Sequence, residues 1–191
     1  MKFDLYYPTK PYRINQGFGE NANSFYKQLG LIGHNGIDVW APTGMIVRAA
    51  HDGTVEYAGG EQKEGIGVTI VTDKEYDYKD GTAYFKTIYW HLLSVAVKYK
   101  QKVRAGDILG YADNTGMSTG SHLHFGLKAC TKQGEFIVEN LDNDNGYFGA
   151  INPEPFWNHI YAEDIIGVVA SLELVKIKLA ELVAAFAKII K

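Results

Sequence analysis

The sequence predicts a mainly β fold of antiparallel strands, followed by one long C-terminal amphipathic α-helix. Three observations carry this. Between Met45 and Val71, short stretches rich in β-branched residues are separated by Asp52-Gly53 and Gly59-Gly60, the pattern of an antiparallel meander with tight turns. From Gly116 to Gly126 the chain reads Gly-Met-Ser-Thr-Gly-Ser-His-Leu-His-Phe-Gly, a loop of small residues leading into histidines that alternate with large apolar residues. From about Tyr161 to Lys191 there is no proline and no glycine beyond Gly167, and apolar residues recur at helical spacing. The chain therefore divides into a domain over 1–160 and a helix over 161–191.

Taken in order, residues 1–33 are rich in Tyr, Pro, Gly and Asn and read as short strands and loops, with no helix. In His34-Asn35-Gly36-Ile37-Asp38-Val39-Trp40-Ala41-Pro42, the glycine, the β-branched residues and the proline argue against a helix. A straight strand would hold the Cα atoms of His34 and Asp38 roughly 13 Å apart, so Gly36 is expected to bend the chain and let the two side chains converge. Strands are expected at Val47–Ala50, Thr54–Ala58 and Gly67–Val71, with His51 on the surface beside the Asp-Gly turn. Asp73–Gly81 reads as a charged hairpin loop, and Tyr84–Leu92 as a strand ending on His91. Val103–Tyr111 reads as a strand pair around Gly106-Asp107, with a faint echo of Val47–Gly59 that suggests duplication. The next strand carries His122 and His124 on one face and Leu123 and Phe125 on the other, and runs on through Cys130. Cys130 lies about 20 Å along that strand from His124, which marks it as structural. Asn140–Gly146 misses the spacing of a calcium loop and is expected in solvent.

In the last segment Ile165, Val168, Val169, Leu172, Val175, Leu179, Leu182, Val183, Phe186 and Ile190 keep a helical period, and Leu174 and Ile177 widen the apolar face beyond a single seam. At 1.5 Å per residue that helix is about 45 Å long, more than a domain of this size can cover. Self-association or docking into a partner groove is the expected use. Its four lysines meet four carboxylates, which disfavours a membrane surface.

The 191 residues, 46% hydrophobic, suffice for one sizeable core. A net charge of −3 offers no basic field for nucleic acid. A single cysteine excludes an intrachain disulfide and leaves the redox compartment unread. Asp4 interrupts the apolar run a signal peptide needs, and no stretch approaches the ~18 apolar residues of a transmembrane segment.

On residues alone, each histidine has an ordinary reading. His122 and His124 can be the solvent face of a strand, His91 a satisfied core imidazole, and His34 with Asp38 a surface pair. The sharper reading is that paired imidazoles backed by a buried apolar face form a platform for a metal ion. Together, His34-x-x-x-Asp38, Tyr89-Trp90-His91-Leu92 and Thr119-Gly120-Ser121-His122-Leu123-His124-Phe125 resemble the lysostaphin-like (LytM-type) zinc endopeptidases. Asn35-Gly36-Ile37-Asp38-Val39, Asn114-Thr115-Gly116 and Asn152-Pro153 agree, so the resemblance covers roughly residues 12–157.

The resemblance implies that His34, Asp38 and His124 ligate Zn2+, and that His91 and His122 are the unligated catalytic histidines. Two imidazoles and a carboxylate are a three-ligand set with the fourth position open, the form zinc takes in catalytic sites. No His-Glu-x-x-His helix is present to supply a glutamate base, and histidine suits that task because its pKa lies near 6.5. His122 is expected as general base with His91 assisting, the order being open to reversal. The implied fold is an antiparallel β-sheet with a substrate groove, for which Trp40 and Tyr89 are candidate linings, with core packing the commoner role for such residues. The implied substrates are peptide stems or bridges of bacterial peptidoglycan. Action at the cell wall without a signal peptide suggests either a processed mature domain or delivery outside the secretion pathway, as for an endolysin of phage type or a virion-associated hydrolase. The alternative is a catalytically silent regulator or particle component of the same fold, whose mark would be missing ligands.

Overall fold

The computed structural model describes residues 1–20, 25–61, 65–133 and 136–189. Ile190 of the helical period, and most of the charged loop after Gly60, lie outside them. The strands are β1 (Leu5–Tyr7), β2 (Ile14–Gln16), β3 (Ile37–Trp40), β4 (Ile46–Arg48), β5 (Gly53–Glu61), β6 (Gly65–Val71) and β7 (Tyr76–Tyr78). They continue with β8 (Gly81–Val95), β9 (Lys102–Val103), β10 (Ile108–Ala112), β11 (His122–Gln133), β12 (Phe136–Asn140) and β13 (Trp157–Tyr161). The helices are α1 (Phe25–Gln28) and α2 (Ala162–Ile189). The main sheet runs β2-β3-β11-β8-β6-β5-β9, and every pairing in it is antiparallel. Among the described residues only β1 and β13 pair in parallel, in a separate two-stranded sheet.

The two long strands β8 and β11 form the centre, in register from His124↔Trp90 to Cys130↔Tyr84. Alternation along β11 buries Leu123, Phe125, Leu127 and Ala129 and leaves His122 and His124 on the other face, as its sequence predicts. Phe85, Tyr89 and Phe125 are fully buried beside Ile37, Val39 and Ile70. Each such side chain contributes roughly 1.5–3 kcal/mol by leaving water, which makes β11 and its neighbours the rigid part of the molecule.

Several expectations require correction. His51 is not on the surface: it is 4% exposed, with Nε2 2.8 Å from Thr87 Oγ1 and Nδ1 2.8 Å from the Asp52 carbonyl. Both ring nitrogens find partners inside, which removes the cost that would keep an imidazole in water. The first 33 residues do contain one helical turn, α1. Asp73–Gly81 is more than a loop, because β7 pairs with the start of β8 and Tyr76 and Tyr78 pack on the core. The segment Val103–Tyr111 does not pair with itself: β9 joins β5, whereas β10 lies between β4 and β8. The acidic loop after Asn140 is partly tied down, since Asp142 accepts hydrogen bonds from Tyr78 Oη at 2.5 Å and from Lys79 Nζ.

Helix α2 follows β13 directly. Its first turn is pinned by Lys10 Nζ, 3.1 Å from Glu163 Oε1 and 2.9 Å from Asp164 Oδ1. Beyond that turn it leaves the domain, and residues 167–183 are all exposed. A helix folded back on its own domain is thus not what forms. No helix among the described residues is long and apolar enough to cross a membrane.

Candidate metal centre

Three adjacent strands bring the centre together. β11 pairs with β3 so that His124 lies opposite Asp38, and with β8 so that His124 lies opposite Trp90. His34 arrives from the turn before β3. The bend expected at Gly36 is present: His34 Nε2 lies 3.2 Å from Asp38 Oδ1. Glycine is also needed there for space. A Cβ at position 36 would lie 2.6 Å from His124 Cε1 and 2.7 Å from the Phe125 carbonyl oxygen, closer than atoms can pack.

The triangle closes with His34 Nε2 3.0 Å from His124 Nδ1, and His124 Nδ1 3.1 Å from Asp38 Oδ1. Four tetrahedral ligands at about 2.0–2.1 Å from zinc lie roughly 3.3 Å from one another, so this donor set fits such an ion. His34 is turned by the Gly17 carbonyl, 3.2 Å from its Nδ1. A carbonyl only accepts, so Nδ1 carries the proton and the Nε2 lone pair faces Asp38 and His124. The His34 side chain is nearly sealed from solvent, while those of Asp38 and His124 keep about one sixth of their surface (16% and 15%).

His91 and His122 stand beside this triangle, their ring centroids 4.7 Å apart. His122 Nδ1 lies 2.7 Å from the Gly120 carbonyl, and its Nε2 lies 3.5 Å from Asp38 Oδ1. His91 Nδ1 lies 2.7 Å from the Thr115 carbonyl. Both rings therefore hold a proton at Nδ1; Nε2 of His91 is left as an acceptor, while Nε2 of His122 faces the Asp38 carboxylate. With Tyr89 on the core face and Trp90 paired to His124, regular alternation would send the His91 side chain into the core. Instead His91 has φ +67°, a left-handed backbone that breaks the alternation and keeps its ring with the other histidines.

Electrostatics separate the members of the cluster. Burial alone would raise the Asp38 carboxyl, but hydrogen bonds from His122, His124 and His34 hold it far below the usual carboxylate range. Burial lowers His91 to about 4, against the smaller opposing effect of its bond to Thr115. Burial also lowers His124, although Asp38 opposes it. For His122 burial pulls downward too, yet the hydrogen bond and charge of Asp38 prevail and its pKa is raised. One imidazole is thus kept neutral and its neighbour holds a proton more readily.

All five residues singled out in the sequence meet in one place. What sequence reading missed is the support beneath them. Thr115 turns its carbonyl to His91, while its hydroxyl donates to the Leu92 carbonyl at 2.7 Å and accepts from Ile66 N–H at 3.0 Å. The Asn114-Thr115-Gly116 motif was the available signal. Of the two aromatics offered as groove linings, Tyr89 is fully buried and its hydroxyl accepts from Ala50 N–H, so it belongs to the core. Trp40 is half-buried, with the Arg13 guanidinium over its ring.

The family model for Peptidase family M23 matches residues 32–137, more than half of the 191. DD-carboxypeptidase/endopeptidase Mpg of Neisseria meningitidis serogroup B is 34% identical over 113 residues, which are 59% of this chain and 24% of that protein. Among solved structures, a zinc-containing peptidase of Vibrio cholerae is 30% identical with a TM-score of 0.55, covering 68% of this chain and 37% of that one. Lysostaphin of Staphylococcus simulans is 25% identical with a TM-score of 0.56, covering 76% of this chain and 48% of that one. The fold is lysostaphin-like. The chain spans about a quarter of the length of the curated relatives it matches.

Proposed function

The chain belongs to Peptidase family M23, and on that premise we propose that it is a zinc-dependent endopeptidase that cuts peptide stems or cross-bridges of bacterial peptidoglycan at the cell wall. The observation that carries this reading is a triangle of three donors, 3.0–3.2 Å apart, with two further imidazoles beside it, each anchored through Nδ1 to a backbone carbonyl. His34, Asp38 and His124 would hold the metal. Zinc bound there supplies a water acidified toward neutrality and a Lewis acid for the scissile carbonyl.

The chain's own groups carry the protons. His91, kept neutral by burial, accepts a hydrogen bond from the attacking water at Nε2 and orients it. His122, whose pKa Asp38 raises, takes the water proton at Nε2 and returns it to the leaving amine. Asp38 both completes the metal set and supports the proton on His122. The exposed α2 lies apart from this chemistry, and we assign it, with residues 161–191, to docking. Against the silent-regulator reading stands the full complement of five residues, for such a protein has no reason to keep them.

The test is digestion of purified peptidoglycan of several cross-link types, with new amine termini identified by mass and the chelated protein as control. New termini that vanish on chelation and return with zinc are expected. Metal content near one ion per chain with no new terminus on any wall would leave only a metal-binding protein. The His122→Ala variant should keep its zinc and lose at least 100-fold in turnover; full turnover would remove His122 from the mechanism.

A further inference from the structure

The face of α2 that leaves the domain carries more order than a generic apolar surface. Val168, Leu172, Val175, Leu179 and Leu182 are separated by steps of 4, 3, 4 and 3, a strict heptad seam, and in sequence the repeat goes on through Phe186 and Ile189. A 3.5-residue period held this way marks a left-handed coiled coil, whereas a helix lying on a single domain follows 3.6. The five described seam residues are 55–61% exposed, so nothing in their own domain covers them. Together with Val169 and Val183 they offer several hundred Å2 of apolar surface, approaching the ~800 Å2 per partner of a stable interface.

The seam also specifies how many helices meet. Leu172 and Leu179 fall at a, with Phe186 at a in sequence, and Val168, Val175 and Leu182 fall at d, with Ile189 at d in sequence. Leucine at a with mainly β-branched residues at d disfavours a two-stranded coil and suits three or four helices. Val169 and Val183 occupy e, where a dimer carries charge and a tetramer buries apolar side chains. Orientation follows from charge. Full-overlap antiparallel pairing would set Lys176 against its own counterpart at e and Lys178 against its own at g. Parallel pairing sets Lys178 beside Val183 and Lys176 beside Ser171 of neighbouring helices, with no like charges opposed. Lys176 is already neutralised within its helix by Glu173, 2.6 Å away.

We propose that α2 assembles four copies of this chain into a parallel coiled coil, with the peptidase domains at one end of the stalk. This deepens the docking role given to the helix and is independent of the hydrolytic chemistry, so each can fail without the other. The test is the mass of the full chain in solution by sedimentation equilibrium. Four times the 21.2 kDa chain is expected, and one, two or three chains overturns the proposal. The double variant Leu172→Asp, Leu179→Asp alters exposed side chains and should fall to a single chain while binding the same zinc per chain. A tetramer that survives it places the contact elsewhere and overturns the proposal. For orientation, Leu182→Cys should cross-link to its own counterpart on mild oxidation. In an antiparallel coil those positions lie ~15 Å apart and no cross-link forms, which would overturn the parallel arrangement.

Discussion

At the residue scale, the site depends on groups that never touch substrate. The Thr115 hydroxyl bridges β6 and β8 while its carbonyl fixes His91. Thr115→Val keeps the shape and removes the hydroxyl. It should lower kcat roughly tenfold with little change in KM or zinc content, and Thr115→Ser should restore most of the loss. An unchanged kcat in Thr115→Val would show that the hydroxyl does not hold His91. His51 poses a different question, because it is buried far from the metal ligands. Burial lowers its pKa to about 4, so the folded chain binds fewer protons than the unfolded one between that value and 6.5. Its contribution to stability is complete above pH 6.5 and is lost as pH falls toward 4. Thermal melts of the zinc-loaded protein at pH 7 and pH 5 should show a smaller drop for His51→Gln than for the natural chain. An identical drop would mean that other groups govern acid stability.

At the element scale, the centre is a consequence of strand order. β11 lies between β3 and β8, and that adjacency sets residues 38, 91, 122 and 124 within reach although 86 positions of sequence separate Asp38 from His124. The weak point is the turn into β3, where Gly36 passes over the His124 ring. Gly36→Ala should weaken zinc binding at least tenfold in competition with a chelator, because the Phe125 carbonyl on the other side of the new methyl is backbone and cannot yield. Unchanged affinity would mean that β3 moves more freely than its pairing with β11 suggests. Circular dichroism separates this from unfolding, since the core strands are not altered.

At the scale of the whole molecule, a wall is a polymer, and the proposed four-headed assembly would bind it at several points. Dispersing the helices with Leu172→Asp, Leu179→Asp should leave turnover on a small soluble peptide unchanged and reduce retention on insoluble peptidoglycan by tenfold or more. Equal retention would show that a single domain provides all the affinity.

Much of this protein was legible before any coordinates. The alternation in His122-Leu123-His124-Phe125 places two imidazoles on one face whatever the surroundings, because strand geometry is local. The glycine-punctuated meander and the helical period of the last 31 residues are local in the same sense. His51 was misread because sequence shows its neighbour, a turn, but not Thr87 across the sheet, whose hydroxyl makes burial tolerable. The turn of His91 away from the core and toward the other histidines was invisible because positive φ in a non-glycine residue is imposed by its partners. The sequence by itself determined the fold class, the set of five polar residues and the amphipathic period of the terminal helix. Only the tertiary structure decided that three donors close to within 3.2 Å, which backbone carbonyls anchor the two other imidazoles, and that α2 stands clear of its domain. Periodicity is written in neighbouring residues, whereas distance and pKa arise from segments that meet only when the sheet has formed.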